Sequence, residues 1–531
     1  MGAPRHEWEY CGMNARLLYH MARADFLERA RRYSFLATVA GAVYFGYLIN
    51  AGDVNLTIQH QRGILNSAWV GTLTALAAGL LMPLLGFYLV KDTIERDRQT
   101  RVGEILAATP LGKAAYTCGK ALSNFLFLGV IVAILGAAGL LLQMLSGEDR
   151  HLDLGAFLGP LVWLALPPVA VVAALAVLFE SIRWLKGSLG NVLYFFLWTG
   201  LIAAAIESPI LDPIGWHLVQ SSLHQKVTTL APVVPGQQEE SSFNIGPHME
   251  IQKTFRWSGI DWTARAIARR LVVAALALGV ALLAALFFSR FDTAREGGRP
   301  PKPKPEDGEA EAGAAGAKRR RRIALPAWSP ANPFLALVVA ELRLMLQGRN
   351  RWWYLVAAGL LVAGLFAPMN AVRAGILPVA WLWPLALWSG MGAREKIFGT
   401  RELIFSGPRP AAYGGAAIWT AGVLVAAATT AGVALRLLAT GQGAGLLAWL
   451  AGCLFIPGLA FALGAVSGTS RLFEVVYLML WYIGPMNHVP AFDYMGVTPQ
   501  ALVLGMPWVY LAMAAALFGA GVAARTRQSP G

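Results

Sequence analysis

Charge is scarce in this sequence: Asp, Glu, Lys and Arg make up 14% of its 531 residues, against about 25% in an ordinary soluble domain. Cysteine is scarcer still. The chain has three, Cys11, Cys118 and Cys453, widely separated and without metal-ligand spacing, so neither a disulfide-stapled secreted module nor a zinc domain fits. A disordered chain is excluded by the opposite quantity, since 56% of the residues are apolar. Those apolar residues come in uncharged blocks of about 20, the length a helix needs to cross a hydrocarbon core. A soluble enzyme does not carry such blocks. The pattern is that of an all-α polytopic membrane protein.

The blocks predict twelve spans, at about 34–50, 68–90, 121–145, 156–179, 189–206, 271–289, 352–369, 376–392, 414–435, 445–467, 475–487 and 504–524. The eleventh is short and runs into Gly484-Pro485, which predicts a broken helix continuing as irregular backbone. The net charge of +14 does not point to nucleic acid, because the basic residues sit in short segments between apolar blocks. The first block begins near Tyr33, behind a tail with six arginines, so the N-terminus is expected inside, without a signal peptide. That choice places 34 of the 44 Lys and Arg in cytoplasmic segments and 10 outside, six of them in the long loop 207–270, where the positive-inside rule is weak. Arg265, Arg269 and Arg270 crowd the outer end of span six, and a helix lying along the outer surface would absorb them. No Asp, Glu, Lys or Arg lies within the spans as drawn. Such residues usually mark ion paths, proton relays or intramembrane active sites. Their absence argues against an ion-driven carrier and an intramembrane hydrolase.

Four patterns recur in order. Glu104-Ile-Leu with Pro110 corresponds to Glu402-Leu-Ile with Pro408, at an offset of 298. Pro167 and Ala170 correspond to Pro457 and Ala460, and Tyr194-x-x-Leu197-Trp198 to Tyr477-x-x-Leu480-Trp481. Last, Pro209-x-x-Asp212-x-x-Gly215 corresponds to Pro490-x-x-Asp493-x-x-Gly496. Two halves of six spans each enter from the same side and are expected as parallel repeats. The division is 1–290 for the first half, with its outer loop 207–270, and 329–531 for the second. The stretch 291–328 between them is rich in Pro, Gly, Ala and charge and predicts a flexible cytoplasmic linker. Its run Lys318-Arg319-Arg320-Arg321-Arg322 is a topological anchor on the plainer reading, and a grip on anionic lipid headgroups on the sharper one.

Residues 17–33 and 334–351 are amphipathic and lead directly into spans one and seven, as interfacial helices do. Between spans two and three, Glu104-Ile-Leu-Ala-Ala closed by Thr109-Pro110 predicts a short helix that proline ends. An interfacial helix, two spans, a basic loop reading GEILAATPL and ending in Gly119-Lys120, then four more spans resembles the permeases of ABC exporters of the type V, or ABC type-2, class. The resemblance covers nearly the whole chain, as two fused permeases. It implies that the loop between spans two and three is a coupling helix docking on an ATPase. Glu104, Leu106, Thr109 and Pro110 would belong to the first such helix, and Glu402, Ile404 and Pro408 to the second. The interfacial helix would add a second contact, and the loops Glu180–Lys186 and Thr469–Glu474 a minor third. The second half departs from the pattern: Gly407 replaces the threonine, and the Gly-Lys pair is missing.

No G-x-x-x-x-G-K-[ST] phosphate loop occurs, so ATP and its Mg²⁺ would reside on a separate ATPase subunit, in two copies. The chain itself would hold no cofactor, metal or catalytic residue. It would lie in a bacterial cytoplasmic membrane with both termini inside. Two other classes share part of the pattern: a polytopic lipid-modifying enzyme, and an ABC-like component that transmits force without moving cargo. In the outer loop, His217, His224, His248, Glu239, Glu240 and Glu250 match no standard metal spacing, and a folded cap is expected there. Asp212 and Asp493 are read as caps of short helices at the outer mouth, with an outer gate as the sharper alternative.

The orientation makes the first prediction. A cysteine placed at Gln237 should react with an impermeant thiol reagent on intact cells, and one at Ala314 should not. The reverse pattern would invert the topology.

Overall fold

The computed structural model describes residues 19–31, 33–58, 61–109, 111–209, 212–230, 241–245, 253–291, 332–405 and 413–527. Pro110, Pro408, His248, Glu239, Glu240, Glu250 and all of the expected linker but Phe291 lie outside them. The chain divides into two compact units, Met1–Pro300 and Pro301–Gly531.

In the first unit, α1 (19–30) and α2 (Tyr33–Ala51) lead to strands β1 (Val54–Ile58) and β2 (Gln61–Gly63), then to α3 (Ser67–Val90). Two short helices follow, α4 (Thr93–Gln99) and α5 (Val102–Ala107), before the long α6 (Lys113–Ser146). Helix α7 (Leu154–Pro160) widens into a π turn at Leu161–Ala165 and continues as α8 (Leu166–Ser181). The widening falls where Pro167 and Pro168 have no N–H to give the ladder. The unit closes with α9 (Ser188–Glu207), α10 (Trp216–Leu230), β3 (Ser241–Ile245), β4 (Lys253–Phe255) and α11 (Ala264–Phe287). Helix α8 is the core, with α3, α6 and α11 against it. Phe87 and Tyr194 stack with ring centroids 3.5 Å apart, and the Tyr194 hydroxyl donates to the Pro83 carbonyl at 2.7 Å.

In the second unit, α12 (Pro333–Leu346) and α13 (Arg351–Phe366) precede a broken stretch. It comprises α14 (Met369–Ala371), a π turn, α15 (Leu377–Leu382) and α16 (Leu385–Trp388). Short helices α17 (Arg394–Ile397) and α18 (Arg401–Phe405) are followed by α19 (Gly415–Ala439), α20 (Gly443–Ser467) and α21 (Arg471–Trp481). The eleventh block behaves as its Gly-Pro predicts: α21 loosens into a π turn over Tyr482–Met486 and ends. Then come α22 (Pro499–Val503) and α23 (Met506–Thr526). Gly432 lets α13 approach α19, since a Cβ there would lie 2.0 Å from the Leu361 carbonyl oxygen. The Tyr477 hydroxyl donates to the Trp381 carbonyl at 2.7 Å, a bond of the same kind as that of Tyr194.

Among the described residues, nine helices are long and apolar enough to cross a membrane. The protein is thus a largely helical, multi-pass membrane protein. Two shorter apolar helices, Thr38–Ile49 and Arg351–Phe366, fall on the expected first and seventh spans.

The helices carry one small sheet: among the described residues, four strands pair in the order β3-β1-β2-β4. Strand β1 pairs antiparallel with β2 and β3, and β2 pairs parallel with β4. Strands β1 and β2 therefore share one folded cap with β3 and β4 of the 207–270 loop, and every residue of β1 is buried. One expectation needs correction, that for Arg265, Arg269 and Arg270. Among the described residues no separate surface helix absorbs them: they lie on α11 itself, which starts at Ala264, capped by the Thr263 side chain. Arg270 instead turns inward, 3% exposed, and donates to the carbonyls of Asp212 and Pro213.

Asn66 fastens cap to bundle. Its side-chain oxygen accepts from the Trp69 N–H at 2.9 Å, capping α3, and its amide donates to the Trp257 carbonyl at 2.7 Å. Asn66→Ala removes a helix cap and orphans a buried carbonyl, so unfolding in mild detergent should become easier by about 1–3 kcal/mol. A thermal or denaturant melt that does not move would contradict the fastening.

Candidate functional site

The end of α3 remote from the sheet carries the densest charge chemistry of the first unit. The chain leaves α3 through two left-handed non-glycine residues, Asp92 (φ 73°) and Arg101 (φ 59°), which set α4 and α5 off as separate short helices. Short helices have mostly unpaired backbone ends, and here the partners come from neighbouring elements. Glu180, buried at the end of α8, accepts from the N–H groups of Thr93 at 3.0 Å and Ile94 at 2.6 Å, closing the start of α4. Arg29 of α1, also buried, donates to Thr93 Oγ1 and Asn124 Oδ1, both at 2.8 Å. Burial draws the Arg29 guanidinium down to about 10, with Asp25 opposing the shift, so it stays charged at neutral pH.

Lys120 of α6 sits at the centre. It is buried, with Nζ 2.8 Å from Asp25 of α1 and 2.7 Å from Asp97 of α4. Asp97 also accepts from the Tyr116 hydroxyl at 2.7 Å. Arg96 reaches back to Asp25 at 3.3 Å and Glu28 at 2.7 Å. Four elements, α1, α4, α6 and α8, are tied through one polar network.

Helix α5 projects from this platform. Ile105 is 68% exposed, and Val102 and Glu104 are exposed beside it. Thr109 Oγ1 donates to the Leu106 carbonyl at 2.7 Å, which closes the end of α5 where the sequence expects a stop. Leu106, by contrast, turns inward onto a core containing Ile94, Tyr116 and Phe288. The residue that α5 presents outward is Ile105, which the sequence motif did not single out.

The second unit repeats the arrangement with other side chains. Glu341 of α12 lies 2.9 Å from Arg394 of α17; burial raises its carboxyl above the usual range, and Arg394 opposes the shift. Arg525, buried at the end of α23, lies 2.6 Å from Glu395. On α18, Glu402 and Ile404 are exposed and Leu403 is 78% exposed. Arg96-Asp97 and Arg394-Glu395 are separated by the same offset of 298 as Glu104 and Glu402. In each unit the basic member meets an acid on the preceding amphipathic helix, and the acidic member meets a buried cation on a long helix. Sequence reasoning passed over these pairs; their shared spacing was the available signal.

At the other end of each unit, the two repeated aspartates hold turns. Asp212 accepts from the N–H groups of Gly215, Trp216 and His217 at 2.7–2.9 Å, at the start of α10. Asp493 accepts from the N–H groups of Met495, Gly496 and Thr498 and from the Thr498 hydroxyl. Their carboxylates are occupied by local backbone, as caps require. Among the described residues no three His, Cys, Asp or Glu side chains group closely enough to hold a metal ion. Comparison with protein families, curated proteins and solved structures returns no match.

Lys120 should be the most sensitive member of the network. Lys120→Met leaves two carboxylates facing each other in a dry site, and removing one partner of a buried ion pair costs about 3–5 kcal/mol. Asp25→Asn, which leaves the Lys120–Asp97 pair intact, should cost less. Equal or reversed destabilisation in denaturant unfolding would contradict the geometry.

Proposed function

We propose that this chain is the membrane-spanning permease of an ATP-binding-cassette exporter of the type V, or ABC type-2, class. It holds two six-span halves as parallel repeats, twelve spans in all, with both termini in the cytoplasm of a bacterium. A separate ATPase subunit, in two copies, hydrolyses the ATP, and the chain moves an apolar or amphipathic cargo outward.

One observation carries the reading. In each unit a short helix with exposed apolar residues, Ile105 on α5 and Leu403 on α18, stands beside a buried ion pair that reaches an amphipathic helix or a long apolar one. A knob on a compliant loop absorbs displacement. A knob anchored by desolvated charge pairs passes it to the helices, and a device that receives work from a soluble partner needs this. The sequence has no phosphate loop, so on this reading the ATP is hydrolysed by such a partner. The matching hydroxyl–carbonyl bonds of Tyr194 and Tyr477 and the paired turns of Asp212 and Asp493 support the duplication. The charge-free spans suit a cargo that needs no ion pathway.

The test is biochemical. The chain purified alone should hydrolyse no ATP above background, and an ATPase subunit should co-purify with it in mild detergent. Ile105→Asp should reduce that co-purification by about tenfold or more, as loss of an interface anchor does. Glu104→Ala should impair coupled hydrolysis more than Glu402→Ala, because the second segment has lost its threonine and Gly-Lys. Hydrolysis by the isolated chain, or a complex indifferent to Ile105→Asp, would sink the proposal. Cargo-stimulated hydrolysis separates an exporter from a component that only transmits force.

A further inference from the structure

We infer that the turn leaving α11 is a brace for α5, with Arg290 and Phe291 as positioning residues that hold this helix in its exposed pose. That α5 docks on an ATPase rests on the reading above; the brace itself rests on the following geometry.

Arg290 (φ 52°) and Phe291 (φ 62°) are consecutive non-glycine residues in the left-handed region. Such backbone persists only where its surroundings over-determine it, and both side chains point to what does so. The Phe291 ring lies against Gly103, the buried residue in the first turn of α5, where an added Cβ would come within 2.6 Å of the ring. Phe291 also packs edge-on to Phe288 at 5.3 Å and to Tyr116 at 5.6 Å, while Phe288 stacks on Tyr116 at 4.7 Å. Arg290 Nη2 donates to the Thr109 carbonyl at 2.6 Å, just past the other end of α5. One residue of the turn therefore holds the start of α5 and its neighbour holds the end.

A six-residue helix is too short to be stable by its own hydrogen bonds, so its pose is set from outside. Tyr116 belongs to both supports, since its ring carries the Phe288–Phe291 cluster and its hydroxyl reaches Asp97. Helices α4 and α5 are thus registered on one side chain, and α11 joins α6 in bearing on α5. The second unit braces its knob from its own last helix by different chemistry: the Arg525 guanidinium lies over the Phe405 ring of α18 at 5.2 Å.

Hydrogen–deuterium exchange on the purified full chain in detergent tests the brace without any partner. In Phe291→Ala, amides 102–108 should exchange about tenfold faster or more, with amides 93–99 and the middle of α11 unchanged. Phe291→Tyr, which keeps the ring, should behave as wild type. No change over 102–108, or an equal rise through 93–99 and α11, would overturn the inference, the latter because Phe291 would then be a general core residue. In the complex, Phe291→Ala should weaken ATPase retention and Phe291→Tyr should restore it. If retention is unchanged by Phe291→Ala while Ile105→Asp abolishes it, α5 docks without a fixed pose and the inference fails. If Ile105→Asp has no effect, the docking reading fails on its own, and the exchange data still decide the brace.

Discussion

A single lysine between two aspartates is the interaction on which the first unit's architecture turns. Lys120, Asp25 and Asp97 come from three different helices and meet where water is nearly absent. A desolvated charge is tolerable only while its partners are in place, so α1, α4 and α6 are constrained to move together or not at all. Arg29 and Glu180 extend the constraint to α8 through Thr93, Ile94 and Asn124. The second unit reaches the same end with buried Arg525 on Glu395, beside the half-buried pair of Glu341 and Arg394. Arginine there offers a planar fork, which can pair with a carboxylate while stacking on a ring, and the Phe405 contact uses that second capacity.

Scarcity of charge gives this placement its meaning. With 14% of residues charged and none within the spans as drawn, ionic interactions gather at the ends of the helices. The sheet-bearing end of the first unit uses its buried cation differently: Arg270 satisfies itself on the carbonyls of Asp212 and Pro213, and Asp212 on backbone N–H groups. Asp212 closes a local turn, and Arg270 ties that turn to α11. The groups at the α4–α5 end join four helices, α1, α4, α6 and α8, beside the exposed α5, and that is where work from a partner is proposed to arrive.

Much of the helical layout was legible in the sequence, because an uncharged apolar run announces its own limits. The runs 68–90 and 189–206 correspond to helices Ser67–Val90 and Ser188–Glu207. The sheet was not legible: β1 and β3 are five residues each and far apart in the chain, and short strands pair by tertiary context. The inward turn of Arg270 was hidden for a related reason, since charge counting treats every arginine as solvated. At the candidate site, Glu104 and Thr109 could be placed from the motif, whereas the outward face of α5 could not. Six residues carry too little periodicity to distinguish Ile105 from Leu106. The acid–base pairs were missed because Lys and Arg near helix ends are expected from topology alone; only the recurrence of Arg96-Asp97 as Arg394-Glu395 marks them as more.

The most direct measurement places a photo-activatable side chain at position 105 of the full chain in its native membrane and identifies what it captures. If α5 is the docking element, irradiation yields a crosslink to a nucleotide-hydrolysing subunit, and its yield changes when ATP is exchanged for a non-hydrolysable analogue. Capture of lipid alone, or of no protein under either condition, would contradict the proposal that this chain receives work from an ATPase through α5.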